Sequence, residues 1–217
     1  MKRIIRSGRV RVDGIAVTAP ETKIDPCTAA VTLDGETLVW REHHYYMMNK
    51  PAGVVTATED PRQRTVLDLL PEELRRMGLF PVGRLDRDTR GLLLLTDDGD
   101  FAHRVISPKF AVEKLYDASV EGTPDASDVS AFAEGIVLGD GTKCRPAELE
   151  ILGEGRCLVT VTEGKYHQVK RMLAARGKPV TALRRLSVGA LRLPEELAEG
   201  AVVELDDDDL CRVFIVR

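Results

Sequence analysis

The sequence predicts an α+β fold on a mixed, largely antiparallel central sheet, and three observations predict it. Strand-like and helix-like segments are interleaved along the chain. Several neighbouring strands have hairpin-like spacing, with Asp-Gly or Glu-Gly at the turns, which a doubly wound parallel sheet would not show. The chain has 217 residues at 43% hydrophobic content, enough for one good core, or for a main domain with a small appendage.

The elements follow in order. Lys2 to Gly14 reads as a short basic helix stopped by Gly8, then a strand turning at Asp13-Gly14. A second strand covers Ala30 to Leu33 and turns at Asp34-Gly35. This is too little chain for an independent core, and the domain boundary is expected near residue 44, with residues 1–43 as the appendage and 44–217 as the main domain. Tyr45 to Met48 is a strand ending in the breaker Asn49-Lys50-Pro51-Ala52-Gly53. Val66 to Met77 carries a helical signal, with Pro71 opening its second half. Leu92 to Leu95 is a fully apolar strand. Asp97-Asp98-Gly99 caps a helix whose buried stripe is Phe101 and Val105, ended by Ser107-Pro108. Lys114 to Val120 is strand-like and Ser127 to Glu134 helical. Cys157 to Thr162 alternates as a half-buried strand, and after the Glu163-Gly164 turn Val169, Met172 and Leu173 mark a helix closed by Gly177.

Composition excludes several classes of protein. The longest apolar runs fall well short of the ~20 residues of a membrane span, and no signal-peptide core follows the basic start, so a soluble, cytoplasmic protein is expected. Cys27, Cys144, Cys157 and Cys211 lie far apart with no C-x-x-C pair, which points away from a zinc site or a disulfide framework. The net charge of -4 conceals a segregation of sign. Gly164 to Pro194 holds eight Lys or Arg and no acid, while Glu195 to Arg217 holds eight acids against Arg212 and Arg217. The basic stretch reads either as a polyanion-binding surface or as a solvated face beside an acidic tail.

The densest chemistry lies in Gly83-Arg84-Leu85-Asp86-Arg87-Asp88-Thr89-Arg90-Gly91, where two carboxylates and three arginines precede a buried strand. A carboxylate flanked by arginines stays ionised and can serve as a nucleophile. The competing reading is a surface salt-bridge network. Neither this stretch nor Asp97-Asp98-Gly99-Asp100 has calcium-loop spacing.

This run, continued through Leu92-Leu93-Leu94-Leu95-Thr96-Asp97-Asp98-Gly99, resembles the central motif of the RsuA/RluB/RluE/RluF family of rRNA pseudouridine synthases. Three more stretches match in order. Asn49-Lys50-Pro51-Ala52-Gly53 resembles the family's first motif, and Ser107-Pro108-Lys109 with Lys114-Leu115-Tyr116 the segment bearing its tyrosine. Glu163 to Met172 resembles the last motif. Within the family the likeness points to members acting on 16S rRNA, with 23S rRNA as the alternative and a non-catalytic RNA-binding or assembly factor as a third reading.

The resemblance implies Asp86 as catalytic aspartate, Tyr116 as the aromatic at the uracil, and Lys170 as the basic partner of Asp86. It implies no cofactor and no metal, because the reaction is an isomerisation. Arg84 is expected either to fill the position of the flipped base or to pair structurally with Asp88. Lys50, Lys165, Arg171, Arg184 and Arg185 join it as expected RNA contacts, along the basic segment that also includes Arg176 and Lys178. His167 is grouped with them as a hydrogen-bonding histidine rather than a general base. Tyr116 has an ordinary core role as its competing reading. Ribosomal RNA is the expected partner, bound by a monomer. Lys2 to Leu38 resembles the second half of an alpha-L RNA-binding module whose usual first helix is missing, so either translation starts upstream or the shortened piece packs on the catalytic domain.

Overall fold

The computed structural model describes residues 1–26 and 28–215; Cys27 and Arg217 lie outside the described residues. The chain divides into two units, Met1–Glu42 and His43–Arg217. The first contains helix α1 (Lys2–Arg6) and strands β1 (Val10–Val12), β2 (Ile15–Ala16), β3 (Val31–Leu33) and β4 (Glu36–Leu38). These strands form an antiparallel sheet in the order β2-β1-β3-β4. Asp13-Gly14 and Asp34-Gly35 have positive φ at both residues, the conformation that two-residue hairpins with strand-matching twist require. None of the described residues of this unit is fully buried, as expected for so short a stretch.

The second unit continues with β5 (Tyr45–Lys50), α2 (Glu72–Arg75), β6 (Phe80–Pro81), β7 (Arg90–Thr96), α3 (Gly99–Ile106), β8 (Lys114–Val120) and α4 (Ala126–Glu134). It ends with β9 (Glu148–Gly153), β10 (Arg156–Val161), α5 (Gln168–Ala175), β11 (Val180–Val188), β12 (Leu191–Arg192), β13 (Val202–Glu204) and α6 (Asp207–Val213). Seven strands run β13-β5-β7-β11-β8-β10-β9, with β6 beside β7 and β12 beside β11. Only the β7–β11 pair is parallel, so the sheet is mixed and largely antiparallel.

Strand β7 lies inside this sheet, between β5 and β11. Leu92, Leu93, Leu94 and Leu95 are all essentially inaccessible, because both faces of the strand are covered. Leu92 and Leu94 face the cluster of α3 and α6, with Phe101, Val105 and Val213, while Leu93 and Leu95 face Met48, Val66, Leu70 and Leu85. A third cluster unites β8, β10, α4 and α5 around Phe132, Val159, Met172 and Leu173. Tyr116 packs against the third cluster and against the Leu93 side, and so joins two parts of the core.

Several elements depart from the sequence expectation. Strand β5 extends through Asn49 and Lys50, which pair with Leu92 and Gly91 instead of forming a breaker. The helical signal over 66–77 yields one 3-10 turn, Leu67–Leu69, and the single turn α2. Leu70 between them is extended, since the residue before Pro71 is sterically pushed out of the helical region. Helix α3 forms as expected, with the Asp98 carboxylate accepting from the N–H groups of Asp100 and Phe101.

Candidate active site

Asp86 lies on the loop between β6 and β7, and that loop is clamped from two sides. From β5, the Lys50 ammonium donates to the carbonyls of Pro51 (3.0 Å), Asp86 (3.1 Å), Arg87 (3.4 Å) and Thr89 (2.9 Å). On the other side, the Thr56 hydroxyl donates to the Leu85 carbonyl (2.8 Å) and accepts from the Leu85 N–H (3.2 Å). The Gly53 N–H donates to the Arg87 carbonyl at 2.8 Å. An irregular backbone held by so many bonds presents its side chains in one geometry. Lys50 itself is 0% exposed, with its ammonium taken up by backbone carbonyls. Burial pushes its pKa down to about 8, against the opposing pull of Asp88 and Asp86.

The Asp86 carboxylate faces two side chains from the last motif. Lys170 Nζ, on α5, is 3.1 Å from Oδ2, and His167 Nε2 is 3.3 Å from Oδ1. Lys170 also bonds Asp88 at 2.6 Å. Burial works against the Lys170 ammonium, but the hydrogen bonds to Asp88 and Asp86 outweigh it and hold its pKa above the ordinary value. The Lys170 bond likewise lowers the Asp88 carboxyl. Asp86 thus takes its counter-charge from a helix 84 positions along the chain rather than from its neighbouring arginines. Arg84 and Arg87 are exposed, and Arg90 pairs with Glu199. Arg84 makes no ion pair among the described residues, and the partner of Asp88 is Lys170.

Asp86, Tyr116, Arg84 and His167 line an inner pocket of ≈ 60 Å³. The same four residues also line a wider cleft of ≈ 860 Å³ that adds Arg87, Lys114, Arg185 and Tyr166. The pocket is concave and has an apolar wall that includes Leu85, Val161 and Leu183, with polar groups converging on one side, as a small flat ring would need. Tyr116 is half-buried on β8, with its hydroxyl 3.5 Å from Arg185 Nη1.

Arg185 is only 5% exposed and lines the wall of the wide cleft. Its Nε donates to the Leu92 carbonyl at 2.7 Å and its guanidinium carbon lies 6.0 Å from the Tyr116 ring centre. Lys165 pairs with the buried carboxylate of Glu163, which also accepts from the Arg145 N–H (2.9 Å) and from Gln168 (3.1 Å). Arg171 pairs with Asp140 at 2.5 Å, and Arg184 stands exposed beside Arg90 in the β7–β11 pair.

Sequence reasoning assigned no site role to Lys114 or Glu163, and placed Arg185 outside rather than in the cleft wall. No local signal marked them, since a lysine in an alternating strand ordinarily points to solvent and Glu163 falls in the Glu163-Gly164 turn. Lys114 is buried, donates to the Val105 carbonyl at 3.2 Å, and has its pKa pushed down to about 8 by burial and then by the Arg185 charge. Among the described residues no group of three or more His, Cys, Asp or Glu side chains is arranged to hold a metal ion, and no helix is long and apolar enough to cross a membrane.

The chain is 44% identical over 214 residues to the uncharacterized RNA pseudouridine synthase YtzG of Bacillus subtilis, covering 97% of this chain and 90% of that protein. It is 42% identical over 215 residues to ribosomal small subunit pseudouridine synthase A of Salmonella typhimurium, covering 97% and 91%. A crystal structure of a pseudouridylate synthase superposes with a TM-score of 0.75 at 37% identity, covering 98% of this chain and 91% of that one. The model of the RNA pseudouridylate synthase family matches residues 44–175, the stretch that carries Asp86, Tyr116 and Lys170, and the chain belongs to that family.

Proposed function

We propose that the protein converts a uridine of 16S rRNA to pseudouridine, with Asp86 as nucleophile. The observation that carries this reading is the Asp86 carboxylate held 3.1 Å from Lys170 in a pocket shared with Tyr116. The choice of small-subunit rRNA rests on likeness to ribosomal small subunit pseudouridine synthase A.

The reaction breaks the bond from uracil N1 to the anomeric carbon, turns the base, joins C5 to that carbon, and moves the C5 proton so that N1 ends protonated. Atoms and electrons balance without a co-reactant. Asp86 attacks or assists departure at the anomeric carbon, and Lys170 pairs with the carboxylate and aims it. Tyr116 packs on the uracil and assists removal of the C5 proton. The flipped base leaves a gap in the RNA stack, and the exposed Arg84 guanidinium fills it. The exposed Arg184 follows the RNA backbone, and the first unit, Met1–Glu42, adds an RNA-binding surface. The protein works as a cytoplasmic monomer without a cofactor.

The test maps pseudouridines across rRNA with and without the gene, then complements with wild type or Asp86→Asn. One 16S position should disappear, return with wild type, and stay absent with the variant. In single-turnover assays Asp86→Asn should cost at least about 10⁴-fold, roughly 5.5 kcal/mol of transition-state stabilisation, with RNA affinity little changed. Loss of a 23S position would move the substrate, and an unchanged map would leave a binding factor.

A further inference from the structure

Tyr166 has no part in the chemistry above, yet the residue is 75% exposed at the wall of the wide cleft. It shares that cleft with Asp86 and Tyr116 but is absent from the lining of the small pocket beside them. One face of the ring stacks on the His167 imidazole, with centres 3.8 Å apart and planes 19° from parallel. The other face meets solvent. The same His167 approaches Asp86 at 3.3 Å and has a left-handed backbone, φ 50 and ψ 33, which a non-glycine residue adopts at a cost. A rigid ring, backed on one side and open on the other, is kept at the rim of the pocket.

We propose that the open face of Tyr166 is a stacking platform for a nucleobase next to the target uridine. The inference rests on the RNA-modifying function above and names a substrate contact within it. Extruding one base leaves its neighbours with an exposed π-face, and an aromatic side chain can cover such a face whatever the base. The platform lies outside the pocket, so it takes a flanking base rather than the reacting uracil. His167 completes a three-layer stack from RNA base to Tyr166 to the residue beside Asp86. Binding energy from a non-reacting nucleotide is thereby placed next to the reacting carboxylate.

The test titrates an rRNA fragment containing the modified uridine against wild type, Tyr166→Phe and Tyr166→Ala at fixed salt. Parallel titrations use fragments made abasic at each nucleotide flanking the target. Tyr166→Ala should weaken binding about 5- to 150-fold, the usual worth of one base–aromatic stack, and Tyr166→Phe should stay within about 2-fold of wild type. One abasic position should weaken wild type by a similar factor and Tyr166→Ala no further. Unchanged affinity in Tyr166→Ala, an equal loss in Tyr166→Phe, or abasic losses that multiply with Tyr166→Ala at every position would each overturn the platform. Pseudouridine formation is scored in the same samples. Absence of product with wild type therefore refutes the proposed function, while the titrations still report on the ring.

Discussion

Lys50 and Lys114 are both buried cations near the Asp86 loop, and their surroundings separate their roles. Lys50 meets four carbonyls and acts as a strut for the loop. Lys114 has a hydrogen bond only to Val105 and lies against Arg185, so its ammonium is poorly compensated. Its folded-state pKa of about 8, below the ordinary 10.5, has a definite sign in stability. Below pH 8 the group is protonated in both folded and unfolded chains, and the burial penalty is fully present. Between about pH 8 and 10.5 the unfolded chain binds more protons, so stability owed to this group rises with pH. The difference in unfolding free energy between wild type and Lys114→Met should therefore shift in favour of wild type over that window. Paired urea titrations at about pH 7 and about pH 10 check it. A flat difference would mean that the ammonium finds compensation in the cleft. Neither role was legible in the sequence, since Lys50 sits in a run of turn-forming residues and Lys114 in an alternating strand where a lysine ordinarily points to solvent.

Strand β11 is the element that the sequence hid most completely. Its basic residues made it look like a surface track for phosphates, although it lies between β7 and β8 in the middle of the sheet. The alternation is masked because a guanidinium, Arg185, occupies a buried position near Leu183, Ser187 and Val188. Strands β9 and β13 and helix α6 were missed for lack of a continuous apolar pattern, whereas β7, α3 and β8 were legible because their apolar runs, cap and period are local. The close approach of β7 and β11 depends on Gly91. A Cβ there, at φ 103, would lie 2.2 Å from the Arg185 carbonyl oxygen and 2.8 Å from its nitrogen. Backbone on both sides cannot yield without separating the parallel pair. Gly91→Ala should lower stability by about 2–4 kcal/mol in urea titration and reduce turnover, because displaced Arg185 no longer meets Tyr116. A loss below about 0.5 kcal/mol would show that β11 can shift freely.

At the scale of the whole molecule, segregation of charge along the chain does not survive folding as segregation on the surface. Of the eight basic residues from Gly164 to Pro194, five are matched by acids outside that stretch, four of them by acids distant in the chain. Lys165 pairs with Glu163, Lys170 with Asp86 and Asp88, Arg171 with Asp140, Arg176 with Asp128, and Lys178 with Asp128 and Asp125. Arg185 is buried, and only Arg184 and Arg192 stand exposed without an ion pair among the described residues. Counting charges along a sequence overestimates a phosphate-binding face whenever the partners are distant in the chain. The two adjacent arginines give a clean test, because one is outside and the other inside. Removing a side chain that neutralises one phosphate should flatten the plot of log K against log salt by about 0.7 to 0.9. Arg184→Gln should produce that change and weaken binding at low salt, with turnover at saturating RNA little affected. Arg185→Gln should leave the slope unchanged and instead reduce stability and turnover, since it removes the donor to Leu92 and the neighbour of Tyr116. Rate and affinity measured for both variants across a salt series distinguish the roles. Equal slopes for wild type and Arg184→Gln would remove Arg184 from the interface, and a flattened slope in Arg185→Gln would mean that β11 turns its buried arginine outward when RNA binds.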